Sequence, residues 1–181
     1  EGFATYYQEI LRGRAGLLSE QQVGQNRHDG VGRGRRSGGE RTLSAESRAM
    51  HEHHTYHRVY WAGAATALML DVELRRRFPK RWCLDDLMQF WEQLHGGTRG
   101  GPATGIQLMR AADRRLGQAV CAPLARAQLA RTAFPDLTRL YAELGVRVTG
   151  GRVALSDAAP LAALRQALTA PKAVRRSPRS R

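Results

Sequence analysis

The sequence predicts a mainly α-helical chain with one small β-hairpin near residues 146–155. Apolar residues recur at helical spacing in several segments of the 181 residues, and the spacing changes to alternation only around Gly150 and Gly151. An apolar content of 42% is enough for one hydrophobic core. These observations favour a single folded unit over two full domains.

The N-terminal region is expected to form two helices. The first has one apolar stripe, made of Phe3, Tyr6, Tyr7, Ile10 and Leu11. The second, weaker helix begins at a capping box in which Ser19 is followed three residues later by Gln22. We expect this helix to dissolve into the glycine-rich sequence GVGRGRRSGGER, as a flexible basic loop.

The longest helix is predicted from about residue 57 to residue 78, where Pro79 stops it. A poorly marked helix at residues 44–54 should precede it. The alanines and the glycine at 62–67 permit close contact with another helix. Two pairs at i, i+4 spacing support its second half, Asp71 with Arg75 and Glu73 with Arg77.

The remainder is predicted as shorter elements. A helix at 84–94 ends at a glycine pair and is followed by a glycine-rich loop at 96–105. Further helices contain Ile106 to Leu116 and Leu137 to Leu144, and a last short helix at 161–168 follows the hairpin. We therefore divide the chain into a helical part at 1–118, C-terminal helices and hairpin at 119–170, and a disordered basic tail at 171–181.

The net charge of +13 raises the possibility of a nucleic-acid partner. The charge is scattered through every segment, with local concentrations in only a few places, so a solvated surface is the preferred interpretation. The rival is a basic binding module that contacts phosphates through arginines of one segment, namely Arg33, Arg35, Arg36 and Arg41. Because the charge is scattered, nucleic acid is not an expected partner. No apolar run is long enough to span a membrane, so a membrane is not an expected partner either.

Four of the six histidines lie in the segment HEHHTYH at 51–57. A zinc-peptidase HExxH motif would need a histidine four residues after His51, where the chain has Thr55. His53 and His57 have the right spacing to share a helix face. Apart from Glu52, which lies on a different face, no adjacent acid or cysteine completes a ligand set. We interpret the segment as a solvated approach to the long helix.

Two stretches resemble a known family. EGFATYYQEILRGRAGLLSE is similar to the segment that follows the zinc helix in gluzincin aminopeptidases, where a Trp-x-x-Glu-Gly-Phe-Ala pattern supplies the third zinc ligand. RVYWAGAATALMLDVELRRR is similar to their later helix, which begins Tyr-x-Lys-Gly-Ala. Both stretches look like the glycyl aminopeptidase family in particular. The resemblance implies the helical C-terminal lobe of a thermolysin-like catalytic domain.

Glu1 matches the third zinc ligand of this family, and one zinc ion is the implied cofactor. In such enzymes two histidines of an HExxH helix complete the protein ligands, and the fourth position is left for water. That helix should lie roughly twenty residues before Glu1, outside this sequence, and the chain contains no internal HExxH. We therefore expect a fragment that is inactive by itself.

Tyr60 matches the family tyrosine that donates a hydrogen bond to the oxyanion of the tetrahedral intermediate. A phenol, with a pKa of about 10, is a neutral donor at neutral pH. Ala62 departs from the pattern, since many relatives have lysine there, whereas Gly63 and Ala64 agree with it. Tyr56 is a second candidate, but no Gly-Ala follows it at the right distance.

The resemblance implies a zinc metallo-aminopeptidase that removes small N-terminal residues, Gly or Ala, from peptide substrates. Two alternatives are a catalytically dead family member used for interaction and the arginine-rich module described above. A PDZ domain, which relatives often carry, is not expected in so short a chain. Cys83 and Cys121 leave the redox compartment undetermined, the oligomeric state is open, and a bacterial, cytoplasmic protein is favoured over a periplasmic one.

Overall fold

In the computed structural model, which describes residues 1–95 and 104–171, nine helices and one two-stranded antiparallel sheet make up the regular structure. The helices are α1 Gly2–Arg14, α2 Glu20–Arg36, α3 Leu43–Ala49, α4 Tyr56–Arg77, α5 Leu84–His95, α6 Gly105–Leu116, α7 Cys121–Leu129, α8 Thr138–Leu144 and α9 Ala162–Thr169. The strands are β1 Val146–Thr149 and β2 Arg152–Leu155. The prediction of a mainly helical chain with one hairpin is confirmed. Within these ranges no helix is both long enough and apolar enough to cross a bilayer.

Helix α4 is the central element of the core. It lies within one residue of its predicted bounds at each end, and α1, α2, α3, α5 and α7 all pack against it. Leu68 and Leu74 are fully buried, and Leu70 is 1% exposed. Because α4 is buried on several sides, its amino-acid pattern is apolar over much of its circumference, as expected of a helix enclosed by others.

Helix α1 packs against α4 at unusually short range. A Cβ atom added to Gly2 would lie 2.4 Å from the Cα atom of Gly63, so the two backbones touch where neither residue has a side chain. Further along, the Tyr6 hydroxyl donates to Asp71, 2.7 Å away. The contacts advance along both helices together, so α1 and α4 run in the same direction and begin at the same end of the pair.

The loop predicted at 30–41 is wrong in its first part. The capping box at Ser19 and Gln22 is present, but α2 continues to Arg36, and only residues 37–41 lie outside a helix. Gly30 and Gly34 face the Trp61 side chain, and a Cβ at Gly30 would lie 2.1 Å from that ring. Burial of the indole against this glycine face offsets the low helix propensity of glycine, which costs roughly 1 kcal/mol per residue.

The helix predicted at 44–54 is shorter than expected. Helix α3 ends at Ala49, and the following residues form turns in which His54 has a positive φ of 53°. The helices predicted around 106–116, 137–144 and 161–168 correspond to α6, α8 and α9. Most of the predicted loop at 96–105 and all but the first residue of the predicted tail at 171–181 lie outside the described residues.

The hairpin has the predicted geometry. Val146 pairs with Leu155 and Val148 with Val153. Gly150 and Gly151 both have positive φ, 56° and 77°, as a primed two-residue turn requires. Strand β2 packs against α2 and helix α9 against α1, so the C-terminal elements share one core with the N-terminal helices.

Helix α7 was not predicted, because its short sequence CAPLARAQL has no clear apolar period. Asp113, in α6, accepts hydrogen bonds from the backbone N–H groups of Val120, Cys121 and Ala122 at 2.9, 2.6 and 3.0 Å. A carboxylate at this end of a helix satisfies unpaired donors and complements the helix dipole. A capping residue from another helix therefore defines where α7 begins.

We expect Asp113→Ala to lower the free energy of unfolding by about 1–2 kcal/mol, as loss of a helix cap does. Urea denaturation followed by circular dichroism would measure it. Asp29→Ala is the matched control, since Asp29 is exposed and only accepts a bond from Gln25 in its own helix. Equal stabilities of the two variants would contradict the capping role.

Candidate active site

Glu1 stands immediately before α1 and is exposed. Its backbone carbonyl accepts from Thr5, but its carboxylate makes no capping hydrogen bond. Within the described residues it also forms no ion pair.

Tyr60 lies in the second turn of α4 and is half-buried. Its ring packs edge-on against Tyr56, with ring centroids 6.3 Å apart. In the described part of the chain no group accepts or donates a hydrogen bond to its hydroxyl. The phenol is therefore held by its ring while the hydroxyl remains available to a ligand.

The close contact of α1 and α4 brings the two predicted residues to one end of the helix pair. Glu1 directly precedes Gly2, and Tyr60 lies about one helical turn before Gly63. Side chains on a helix lean toward its N-terminus, so Tyr60 leans toward the end where Glu1 lies. Two residues that are 59 positions apart in the sequence thus stand at the same end of two touching helices.

Tyr56, the competing tyrosine, already has a partner. Its hydroxyl lies 3.2 Å from Nδ1 of His51, and the rings of His51 and His54 pack around it. Ala62, which stands where the resembled Tyr-x-Lys-Gly-Ala pattern has lysine, is 2% exposed and part of the packed core. A lysine there would bury an ammonium group at considerable cost, which is a physical reason for the alanine.

The histidine segment behaves as predicted in its exposure, since His51, His54 and His57 are all exposed. His53 is half-buried and lies 3.8 Å from Glu46, but Arg41 Nη1 lies 3.0 Å from its Nε2 atom. A guanidinium at that distance opposes a metal cation at the same nitrogen. Within residues 1–95 and 104–171, no three His, Cys, Asp or Glu side chains are grouped so as to hold a metal ion.

The arginines of the rival interpretation lie at and after the end of α2. The guanidinium of Arg33 lies over the Trp61 ring at 5.5 Å, and that of Arg35 over Phe134 at 6.0 Å. Arg41 lies against His53. Two of these cations thus stack on rings of the protein itself, and a third contacts one of its histidines.

A buried hydrogen-bond network, which was not predicted from the sequence, connects α1 with α4. Asp71, which is 1% exposed, accepts from Tyr6 Oη at 2.7 Å, Arg75 Nε at 3.0 Å and the backbone N–H of Leu84 at 2.8 Å. Burial and the neighbouring Asp71 charge raise the pKa of Tyr6 well above its usual value, so Tyr6 stays a neutral donor. Only the Asp71–Arg75 pair had a signal in the sequence, its i, i+4 spacing.

Neither cysteine is suited to act as a nucleophile. Burial, with the Asp86 hydrogen bond, raises the pKa of Cys83 to about 11. Burial, with the nearby Asp113 carboxylate, raises the pKa of Cys121 to about 12. Both thiols remain protonated at neutral pH, and the thiolate is the reactive form.

The candidate site therefore consists of the Glu1 carboxylate and the Tyr60 hydroxyl, at one end of the α1–α4 pair. Neither group has a hydrogen-bond or ion-pair partner in the described residues. Comparisons of the chain with protein-family models, curated proteins and solved structures found no match.

Proposed function

We propose that this chain is part of a zinc metallo-aminopeptidase that hydrolyses small N-terminal residues, Gly or Ala, from peptides. The observation that carries the proposal is the Gly2–Gly63 contact, which places the α1 end with Glu1 beside the turn of α4 with Tyr60. The resemblance of the same two segments to the glycyl aminopeptidase family supplies their roles. The catalytic domain would have a thermolysin-like fold.

Glu1 is the residue of this chain that would hold the zinc ion. Its carboxylate is exposed and makes no hydrogen bond to the backbone it caps. Two histidines and the general-base glutamate would come from an HExxH helix outside these 181 residues. When bound in such a site, zinc lowers the pKa of a water molecule and polarises the scissile carbonyl.

Tyr60 would donate a hydrogen bond to the oxyanion that develops on the scissile carbonyl. The packing of its ring against Tyr56 restricts its orientation, and its hydroxyl has no competing partner in the described residues. A donor that is already oriented needs little reorganisation when the charge appears, which is why such groups contribute strongly to rate.

The proposal is tested with the chain extended by the sequence that precedes Glu1 in the complete protein. We expect one zinc ion per chain and hydrolysis of Gly- and Ala-peptides. Glu1→Gln should weaken zinc binding, because a neutral amide replaces a charged ligand, and activity should fall with it. Metal content after dialysis and the release of N-terminal residues are the two measurements.

Glu9→Gln is not a suitable control because Glu9 is buried, so we choose Glu52→Gln, an exposed carboxylate on the histidine segment. It should leave zinc content and hydrolysis unchanged. If the extended chain binds zinc but cleaves no peptide, the interaction-only family member is correct. If Glu1→Gln retains full zinc and full activity, the assignment of Glu1 is wrong.

A further inference from the structure

A cavity of about 300 Å³ lies between α2, α8 and β1. One part of its lining is apolar and consists of Val31, Leu137, Val146 and Val148. Val148 is 40% exposed, so this wall is incompletely covered by the protein. No residue of α1 or α4 lines the cavity, which separates it from the candidate active site.

The lining contains one cationic side chain, that of Arg35. Arg35 is exposed and lies over the Phe134 ring, without an ion pair to any described carboxylate. His28 also lines the cavity, about two helical turns before Arg35 on the same helix. The described lining contains no aspartate or glutamate, so no lining residue neutralises the charge of Arg35.

An acidic group outside the lining, Asp136, interacts electrostatically with Arg35. Its carboxylate Oδ1 accepts from the backbone N–H and the hydroxyl of Thr138, at 2.9 and 2.7 Å. The hydrogen bonds from Thr138 lower the pKa of Asp136 most. The positive charges of Arg35 and Arg131 lower it further, by a smaller amount. Asp136 is also fully exposed, so solvent screens its attraction for Arg35.

One residue of the lining has a buried polar atom without a hydrogen-bond partner. The Tyr141 hydroxyl is buried and has no hydrogen-bond partner in the described residues. Buried polar groups are normally paired, so a hydroxyl without a partner favours a ligand that carries an acceptor.

We propose that this cavity binds a small organic carboxylate with an apolar body. The carboxylate lies toward Arg35, and the hydrocarbon part covers Val31, Val146 and Val148. The volume is at the lower end of that of small-molecule sites, which excludes a large ligand. Inorganic phosphate would pair with Arg35 but leave the apolar wall exposed. This site does not depend on the peptidase proposal.

Isothermal titration calorimetry of the chain with 3-phenylpropanoate and with its neutral amide tests the proposal. The two ligands have the same hydrocarbon part and differ in charge. We expect the carboxylate to bind at least about 10-fold more tightly, as a charge-assisted contact with arginine implies. Excess inorganic phosphate should displace it poorly.

Two variants locate the site. Arg35→Gln should reduce the affinity for the carboxylate to that for the amide, and Val148→Glu should abolish its binding by placing a like charge on the wall. Both positions are exposed, so the fold should be retained, which circular dichroism checks. Arg36→Gln is the matched control, an exposed arginine of the same helix that does not line the cavity.

Three outcomes would overturn the proposal. They are equal binding of the carboxylate and the amide, effective competition by phosphate, and carboxylate affinity that Arg35→Gln leaves unchanged. The absence of any heat of binding for the carboxylate at millimolar concentration would overturn it as well.

Discussion

Asp71→Ala is expected to lower the free energy of unfolding by about 3 kcal/mol or more, the range found when one partner of a buried ion pair is removed. Asp71 is 1% exposed and accepts three hydrogen bonds, from Tyr6, Arg75 and the backbone of Leu84. Its loss leaves a buried hydroxyl, a buried N–H and a largely buried guanidinium without their acceptor. Each buried donor left in this way has a desolvation cost.

Equilibrium unfolding in urea measures this effect. Glu73→Ala is the matched control, because Glu73 forms ion pairs with Arg76 and Arg77 whose guanidinium groups are about half exposed. Exposed pairs contribute about 0–1 kcal/mol, so this variant should be close to the unmodified chain. If Asp71→Ala and Glu73→Ala have the same stability, the buried network is not a major source of stability.

The same network connects stability with the candidate site. Tyr6 belongs to α1, Asp71 to α4, and Leu84 to the start of α5, so one carboxylate joins three helices. Since α1 also positions Glu1, a weakened α1–α4 contact should impair the site before the whole chain unfolds. In the extended chain, Asp71→Asn should therefore lower zinc affinity more than Glu73→Ala does.

Tyr60→Phe, in the extended and active chain, is expected to reduce kcat by about 100-fold to 1000-fold, the loss typical of one oxyanion donor. KM should change little, because the hydrogen bond strengthens only in the transition state. The ring and its packing against Tyr56 are retained. Stability should be unaffected, since the hydroxyl has no partner within the described residues.

Steady-state kinetics on a Gly-peptide measures this prediction, with Tyr56→Phe as the control. Tyr56 has the same side chain one helical turn earlier, and its hydroxyl lies against His51. Its variant should retain most of the activity. If kcat falls strongly in Tyr56→Phe and only slightly in Tyr60→Phe, Tyr56 and not Tyr60 is the oxyanion donor.

Much of the fold was predictable because it depends on local chemistry. The apolar stripe of α1, the Pro79 stop after α4 and the glycine pair of the hairpin each act within a few residues of chain. The bounds of α4 and the pairing of β1 with β2 followed from such signals. Capping at Ser19 is equally local.

The elements that were missed depend on distant residues. Helix α2 continues to Arg36 because Trp61, on another helix, packs against Gly30 and Gly34. Helix α7 begins where it does because Asp113 in α6 accepts from its first N–H groups. Propensity reasoning cannot weigh contacts of this kind, since it considers only neighbouring residues.

For the candidate site, the sequence by itself indicated the helical character of both segments. Through the resemblance of these segments it also proposed Glu1 and Tyr60 as candidate site residues. The tertiary structure alone decided that the two residues lie at one end of a touching helix pair. The reason is physical: backbone contact at Gly2 and Gly63 requires the absence of two side chains at positions far apart in the sequence. The burial of Asp71 with its three donors likewise arises only when α1, α4 and α5 meet.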